Sequence, residues 1–473
     1  MDQSLPYALD RRAELAGRPC LHVLLIGVSA YHHLCGGADE SPHAAALRLG
    51  QLEAPALTAA KLYGWLLRAE QDGRLPFPLG SVTLLLAPSP AEQASVAEIL
   101  GTARWGPPTR AGVERAVSRL RDDIVAGERA AAQAGPDRGG GIGLYYFGGH
   151  GIDGGRDDPI ILTADVLGPD ETQLGANALC QADVATMLTQ FEPADGGGRT
   201  SAERAALLLV CDCCREDLTG GSGNAAGQVQ SAEIRRPPPF ADPSDRHAGR
   251  SAPPNEPRNY RTLWATAPRL PASELTVLLA PFAPHGRPLT ALGHLLLTCL
   301  DWTSEENGDP GSELPLRLTS SKLAEYVAAS WLQLAALLEQ LGGSLDGKPE
   351  THSSGTEFSV CYGRAQPQVP IRLSCDPEDL KRSLSVSIRH DGMSRGELAA
   401  PWTQHPESIR LAPNVFQVTA AVPGASAFCR RVTVGPALTE WAWEFGHDQL
   451  KVRGPGGRPV QSVGPCPHRS ASA

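Results

Sequence analysis

Four short runs of almost unbroken apolar residues constrain this chain more than any other feature: 21–26 (LHVLLI), 82–86 (VTLLL), 142–147 (IGLYYF) and 205–211 (AALLLVC). A strand with one face in water alternates apolar with polar. A run that is apolar throughout must be covered on both faces, as in a parallel sheet held between layers of helix. Residues 262–266 (TLWAT) form a weaker fifth run. Between the runs, Val113, Ala116, Val117, Leu120 and Ile124 recur at helical spacing, and 54–69, 182–191, 289–302 and 319–341 read as further helices. Ser89-Pro90-Ala91-Glu92 reads as a capping box with proline at the first helical position. Strands alternating with helices predict an α/β domain with a doubly wound, mostly parallel sheet flanked by helices.

Two stretches break this rhythm. Residues 219–258 are rich in Gly, Pro, Ser and Arg and nearly free of large apolar residues. Such a composition buries too little surface to offset chain entropy, so a mobile insertion is expected there. From about residue 364 the pattern changes to alternation, in 385–388 (SVSI), 416–419 (FQVT) and 431–434 (RVTV), with turn residues such as Pro423-Gly424 between. This predicts a small antiparallel C-terminal β-sandwich over 364–473 behind an α/β domain over 18–363.

A length of 473 residues suits two or three domains, and a formal net charge of −10 argues against a dedicated nucleic-acid or polybasic membrane binder. No apolar run approaches the ~20 residues of a membrane-spanning helix, and no apolar signal segment opens the chain, so a cytoplasmic protein is expected. Eleven cysteines are dilute in this length, and a disulfide scaffold is not expected. Cys211, Cys213 and Cys214 lie close together, but no second pair follows at zinc spacing, so no metal is expected. Gly139-Gly140-Gly141 precedes its strand, whereas a phosphate loop follows one; no nucleotide or other cofactor is expected.

Two of the predicted strands end abruptly in reactive residues. One runs into Gly148-Gly149-His150-Gly151, the other into Asp212-Cys213-Cys214-Arg215. Reacting groups gather beyond the carboxyl ends of parallel strands. If these two strands are neighbours, His150 and Cys214 emerge at one edge, with the helix at 182–191 in the crossover between them. A thiol with a pKa near ~8.5 is only a few per cent thiolate at neutral pH, so an adjacent imidazole is what makes it a nucleophile. The amides of Gly151 and Cys214 are suited to hold the oxyanion of a tetrahedral intermediate. No side chain that orients the imidazole can be picked out; a backbone carbonyl would serve.

These motifs resemble those of the caspase-like (clan CD) cysteine peptidases, the C14 and metacaspase type, in their prokaryotic branch. LHVLLIGVSAYHHL resembles the family's first strand and loop, GLYYFGGHG the strand ending in the catalytic His-Gly, and LLLVCDCCRED the strand ending in the nucleophile. TLWATAP resembles the strand leading into a substrate-binding loop, and LTALGHLLLTCLDW and LTSSKLAEYV the later helices. The resemblance covers roughly 18–363. It implies a cysteine endopeptidase with His150 as general base or acid, Cys214 as nucleophile, and the Gly151 and Cys214 amides as oxyanion hole. Arg215-Glu216-Asp217 departs from the His-Ser-Gly of metacaspase-like relatives, which bears on the geometry of that loop and on activity.

Specificity is open between two residues. In relatives that cleave after Arg or Lys, an Asp two positions before the nucleophile lines the primary pocket, and Asp212 matches it; the bland alternative is that Asp212 caps the turn. Arg269 would instead favour an acidic residue. With basic specificity, Arg235-Arg236 in the insertion becomes a self-cleavage site. The rival to a peptidase is a catalytically silent caspase-like scaffold working through protein–protein interaction; an acyltransferase using the same dyad is a third option. The expected partners are a protein or peptide substrate and a protein bound by the C-terminal β-domain, with no nucleic acid and no membrane. Trp441 and Trp443 alternate with smaller residues and read first as packing, second as a binding face.

Overall fold

The computed structural model describes residues 5–47, 49–134, 141–153, 159–168, 177–189, 205–213, 259–265, 289–301, 316–340, 349–363, 369–390, 392–404, 406–411, 414–424, 427–434, 441–446 and 449–453. Cys214, Arg269, the 219–258 stretch and Arg235-Arg236 within it lie outside the described residues. The chain divides into two compact units, Met1–Leu297 with Leu318–Ala324 and Asp346–Tyr362, and Thr298–Arg317 with Glu325–Leu345 and Gly363–Ala473.

In chain order the first elements are β1 (Leu9–Asp10), β2 (Leu21–Val28), α1 (Ala44–Leu47), α2 (Pro55–Gln71), β3 (Leu79–Ala87), α3 (Gln93–Leu100) and α4 (Arg110–Ala134). There follow β4 (Ile142–Gly149), β5 (Gly151–Asp153), β6 (Pro159–Leu162), β7 (Ala178–Cys180), α5 (Gln181–Thr189), β8 (Ala206–Cys213) and β9 (Tyr260–Trp264). Next come α6 (Ala291–Asp301), β10 (Leu316–Thr319), α7 (Ser320–Gln340), β11 (Glu350–Ser354) and β12 (Ser359–Gly363).

A seven-stranded sheet in the order β1-β3-β2-β4-β8-β9-β11 forms the centre of the first unit. Its five inner strands are parallel, from β3 through β2, β4 and β8 to β9. The apolar runs lie where the sequence predicts, and β2 and β8 are buried along their whole length. Burying one Leu, Ile or Val side chain is worth roughly 1.5–3 kcal/mol, so a strand covered on both faces gains about twice what a half-wet one does. Helices supply that cover. Leu24, Ile26 and Val28 share a core with Tyr145, Phe147, Leu209 and the α4 residues Val113, Val117, Leu120 and Ile124. On the opposite face Gly27 lies so close to α2 that an added Cβ would come within 2.6 Å of the Ala56 Cα.

Both edges are closed by strands the sequence pattern does not reveal. β1 pairs antiparallel with β3, Leu9 opposite Val82, and β11 pairs antiparallel with β9, Glu350 opposite Trp264. A two-residue strand and the polar ETHSS carry no apolar signal, yet they cover backbone groups that would otherwise invite pairing with another chain. A small antiparallel sheet of β5, β6 and β7 follows directly on β4.

The predicted capping box is half formed. Glu92 Oε2 accepts the Ser89 N–H (2.8 Å), but Ser89 Oγ is buried without a partner, and α3 begins at Gln93 rather than at Pro90. The reason is that Glu92 also serves another helix. The residue before α2, Ala54, has no capping side chain, so the Leu57 N–H goes to Glu92 Oε1 (2.9 Å) and the Ala56 N–H to Ser29 Oγ (3.0 Å).

The second unit contains β13 (Val369–Cys375), β14 (Ser385–His390), β15 (Met393–Leu398), β16 (Glu407–Leu411), β17 (Asn414–Ala421), β18 (Phe428–Val434), β19 (Trp441–Phe445) and β20 (Leu450–Arg453). They form two four-stranded sheets, β16-β13-β19-β20 and β15-β14-β17-β18. Ile371, Leu373, Trp443 and Phe445 from one sheet share a single core with Val386, Ile388, Phe416 and Val418 from the other. The expectation of purely antiparallel pairing fails at one ladder: β13 and β19 are parallel, Ile371 opposite Trp441. Parallel neighbours need a long crossover, and here the second sheet and β16 lie within that crossover. Trp441 (4 % exposed) and Trp443 (0 %) are core residues, so packing and not a binding face explains their alternation. Cys429, opposite Thr419 on β17, is disulfide-bonded, an exception to the expected dilute, reduced thiols; eight described cysteines are free.

Glu92 gives the first test. Glu92→Ala strands two buried amides, those of Leu57 and Ser89, and is expected to cost about 2–4 kcal/mol in urea unfolding, with Glu92→Gln costing less. An alanine variant as stable as the parent would refute this capping account.

Candidate active site

The site is built at the carboxyl edge of the parallel strands. β4 and β8 pair in register from Ile142 opposite Ala206 to Gly149 opposite Cys213. In the chain, His150 follows Gly149 and Cys214 follows Cys213. Cys214 itself lies outside the described residues; what the structure fixes is that the residues bonded to the pair, Gly149 and Cys213, are direct neighbours in a ladder whose strands run about 4.8 Å apart.

His150 is 7 % exposed and held at both ends. Its backbone N–H donates to the Tyr31 hydroxyl (2.7 Å), and its Nε2 lies 2.8 Å from the Gly50 carbonyl oxygen. A carbonyl only accepts, so the imidazole proton sits on Nε2 and the lone pair on Nδ1. This carbonyl is the orienting group that the sequence leaves unassigned. Burial lowers the His150 pKa to about 4 against the opposing pull of the Gly50 hydrogen bond, so the ring is neutral near pH 7 and able to accept a proton.

The turn that carries Gly50 is itself tied down. Gln51 Oε1 accepts the Tyr31 N–H (2.7 Å), and its Nε2 donates to the carbonyls of Tyr31 (3.0 Å) and Cys35 (3.1 Å). The Tyr31 ring stands 5.0 Å from the imidazole. Nothing in periodicity or charge marks Gly50 or Gln51, and Tyr31 is visible only inside the GVSAYHHL segment.

The glycines before His150 are explained by packing. A Cβ on Gly149 would meet the Tyr31 Oη at 2.8 Å, and one on Gly148 the Tyr146 Oη at 2.8 Å. Gly151 opens β5, opposite Ile161 on β6. The Leu162 N–H donates to the His150 carbonyl (3.0 Å), so Gly151 and Ile161 form a non-hydrogen-bonded pair. The Gly151 N–H therefore points out of the edge of this small sheet, away from β6, the direction a donor to an external oxyanion needs.

Asp212, 4 % exposed, has a different set of partners. Its Oδ2 accepts from the Tyr146 hydroxyl (2.9 Å) and from Thr290 Oγ1, and the Gly293 amide also donates to the carboxylate. Thr290 precedes α6, so the carboxylate closes the first turn of that helix and ties it to β8 and β4. This is a capping role, made to a helix instead of a turn. Burial raises the Asp212 pKa to about 6, and the three donors only partly offset it. Among the described residues no three His, Cys, Asp or Glu side chains converge as a metal site, and no helix is long and apolar enough to cross a membrane.

Compared with models of protein families and with curated proteins, the chain matches none.

The two perturbed groups at this edge pull stability in opposite directions. Between about pH 4 and 6.5 the unfolded chain binds a proton at His150 that the folded chain does not, so this group stabilises the fold increasingly as pH rises. Between about pH 3.8 and 6 the folded chain holds the Asp212 proton that the unfolded chain has lost, so stability falls as pH rises. Asp212→Asn is expected to leave the His150 slope alone, giving a steeper loss of urea stability from pH 6 to pH 4 than in the parent. Parallel curves for the two proteins would remove Asp212 as a titrating group.

Proposed function

We propose that the chain is a caspase-like cysteine endopeptidase that hydrolyses peptide bonds through His150 and Cys214. One observation carries this reading: the β4–β8 ladder ends with Gly149 opposite Cys213, the residues bonded in the chain to the proposed base and the proposed nucleophile. The Nε2–H bond to Gly50 supports it, because it reserves Nδ1 for the thiol proton.

The chemistry follows from the protonation states. Burial disfavours the charged form of the imidazole, and so disfavours an ion pair at rest. The dyad therefore rests neutral, and Nδ1 takes the proton as Sγ attacks the scissile carbonyl. The Gly151 N–H, directed outward from β5, donates to the developing oxyanion together with the Cys214 amide. The imidazolium then gives its proton to the leaving amine. Water, deprotonated by the same imidazole, releases the acyl group.

Cleavage after Arg or Lys rests on Asp212, a buried carboxylate two residues before the nucleophile; its existing bonds to Tyr146 and Thr290 mean that a substrate cation must share it. Arg269 carries the opposite preference. Basic specificity makes Arg235-Arg236 a self-cleavage site. The C-terminal unit, with its two sheets on one core, is read as a β-sandwich interaction module for a protein partner, and the whole protein as cytoplasmic. Arg215-Glu216 beside the nucleophile favours the rival, an inactive scaffold acting through that module.

A positional-scanning peptide library offered to the wild type, Cys214→Ala and His150→Ala decides between them. The expected result is turnover by the wild type alone, with Arg or Lys preferred before the cut and an acid limb well below pH 6.5. Equal turnover by wild type and Cys214→Ala, or none by either, would support the scaffold.

A further inference from the structure

We infer that Tyr31 is a positioning residue for His150 and that Gln51 locks it to the turn whose carbonyl orients the imidazole. The inference deepens the peptidase reading and rests on it for its catalytic consequence, but its geometry stands by itself. Four groups close a ring of hydrogen bonds. The His150 N–H donates to the Tyr31 Oη, the Tyr31 backbone is held on both its N–H and its C=O by the Gln51 side chain, Gln51 is bonded in the chain to Gly50, and the Gly50 carbonyl accepts from His150 Nε2.

Each link has a reason. His150 lies one step past the last β4–β8 pair, so no ladder acceptor faces its buried amide, and an unpaired buried N–H is costly. The Tyr31 hydroxyl, from a loop 119 residues earlier in the chain, fills that need. It reaches the amide only because position 149 has no Cβ: one there would stand 2.8 Å from Oη. Gln51 is a two-way clip, an acceptor for one Tyr31 group and a donor to the other and to Cys35, which a carboxylate or an apolar side chain does not reproduce. The ring thus grips His150 by its main chain and by its far nitrogen from one loop. With both fixed, the direction of the Nδ1 lone pair is fixed as well. Loss of either grip lets the imidazole turn, and a displacement of about 1 Å at a reacting group costs up to about 100-fold in rate.

The test uses the full-length chain and the variants Tyr31→Phe, Gln51→Ala and Gln51→Glu. Two readouts are taken. In protein carrying nitrogen-15 only in histidine, the His150 ring signals, assigned by their loss in His150→Gln, report tautomer and titration. Steady-state kinetics on the best library peptide report kcat and KM. The wild type is expected to show a single Nε2–H tautomer whose ring proton exchanges slowly. Tyr31→Phe and Gln51→Ala are expected to give mixed tautomers and faster exchange, because the Nε2–H bond to the Gly50 carbonyl is loosened. They should also lower kcat about 10–100-fold with KM within about twofold. Gln51→Glu keeps the acceptor for the Tyr31 N–H and loses both donated bonds, so an intermediate effect is expected; it carries the test if Tyr31→Phe does not fold. Unchanged tautomer, exchange and kcat in the folded variants would overturn the inference. Altered ring signals in a protein with no peptidase activity would leave the positioning role standing and remove the peptidase reading instead.

Discussion

The parallel ladder between β4 and β8 is the constraint on which the rest of the molecule depends. Its register is set by two apolar runs that must be buried on both faces, and a slip of one residue would turn every side chain to the wrong layer. Because the register is fixed by packing, the end of β4 and the end of β8 are fixed relative to one another. His150 emerges there, next along from Gly149, and Cys214 is next along from Cys213. A hydrophobic requirement in the middle of the sheet thereby places polar chemistry at its edge.

That edge is organised by polar groups that satisfy one another. Glu92 closes the start of α2, Asp212 closes the start of α6, and Tyr31 receives the first amide beyond β4. Each is almost fully buried, and each answers a backbone N–H left over where a helix begins or a ladder stops. In a low-dielectric interior such groups are costly alone and firm when paired. The same burial sets the protonation states, holding His150 neutral and Asp212 reluctant to ionise near pH 6. Structure and acid–base chemistry at this edge have one cause.

How much of this was legible in the sequence depends on the kind of signal. The inner strands of the sheet announce themselves because double burial disfavours polar residues, and α2, α5, α6 and α7 follow the predicted helical stretches to within two residues. By contrast, α4 extends well past the 113–124 pattern. β1, β11 and the β5–β7 sheet left no trace, since edge strands can be short or polar and take their pairing from what they cover. In the C-terminal unit alternation revealed β14, β17 and β18 but not the other five strands, nor the parallel β13–β19 pair, because a one-strand pattern does not encode its neighbour's direction. At the site, His150 stood out through its glycines and strand end. The groups that hold it did not. Gly50 acts through its carbonyl, which every residue possesses, and Tyr31 and Gln51 act across gaps of loop that no periodicity spans.

The claim at the centre of this account is that the His150 imidazole acts on the Cys214 thiol across the end of that ladder. The most direct measurement is the rate of Cys214 alkylation by iodoacetamide as a function of pH, read at that residue by mass spectrometry in the wild type and in His150→Ala. The account predicts a rate in the wild type that stays nearly level from about pH 5 to 8, as the neutral imidazole takes the proton, and a rate in His150→Ala that falls about tenfold per unit as pH drops below the thiol's own pKa. Superimposable profiles in the two proteins would contradict it.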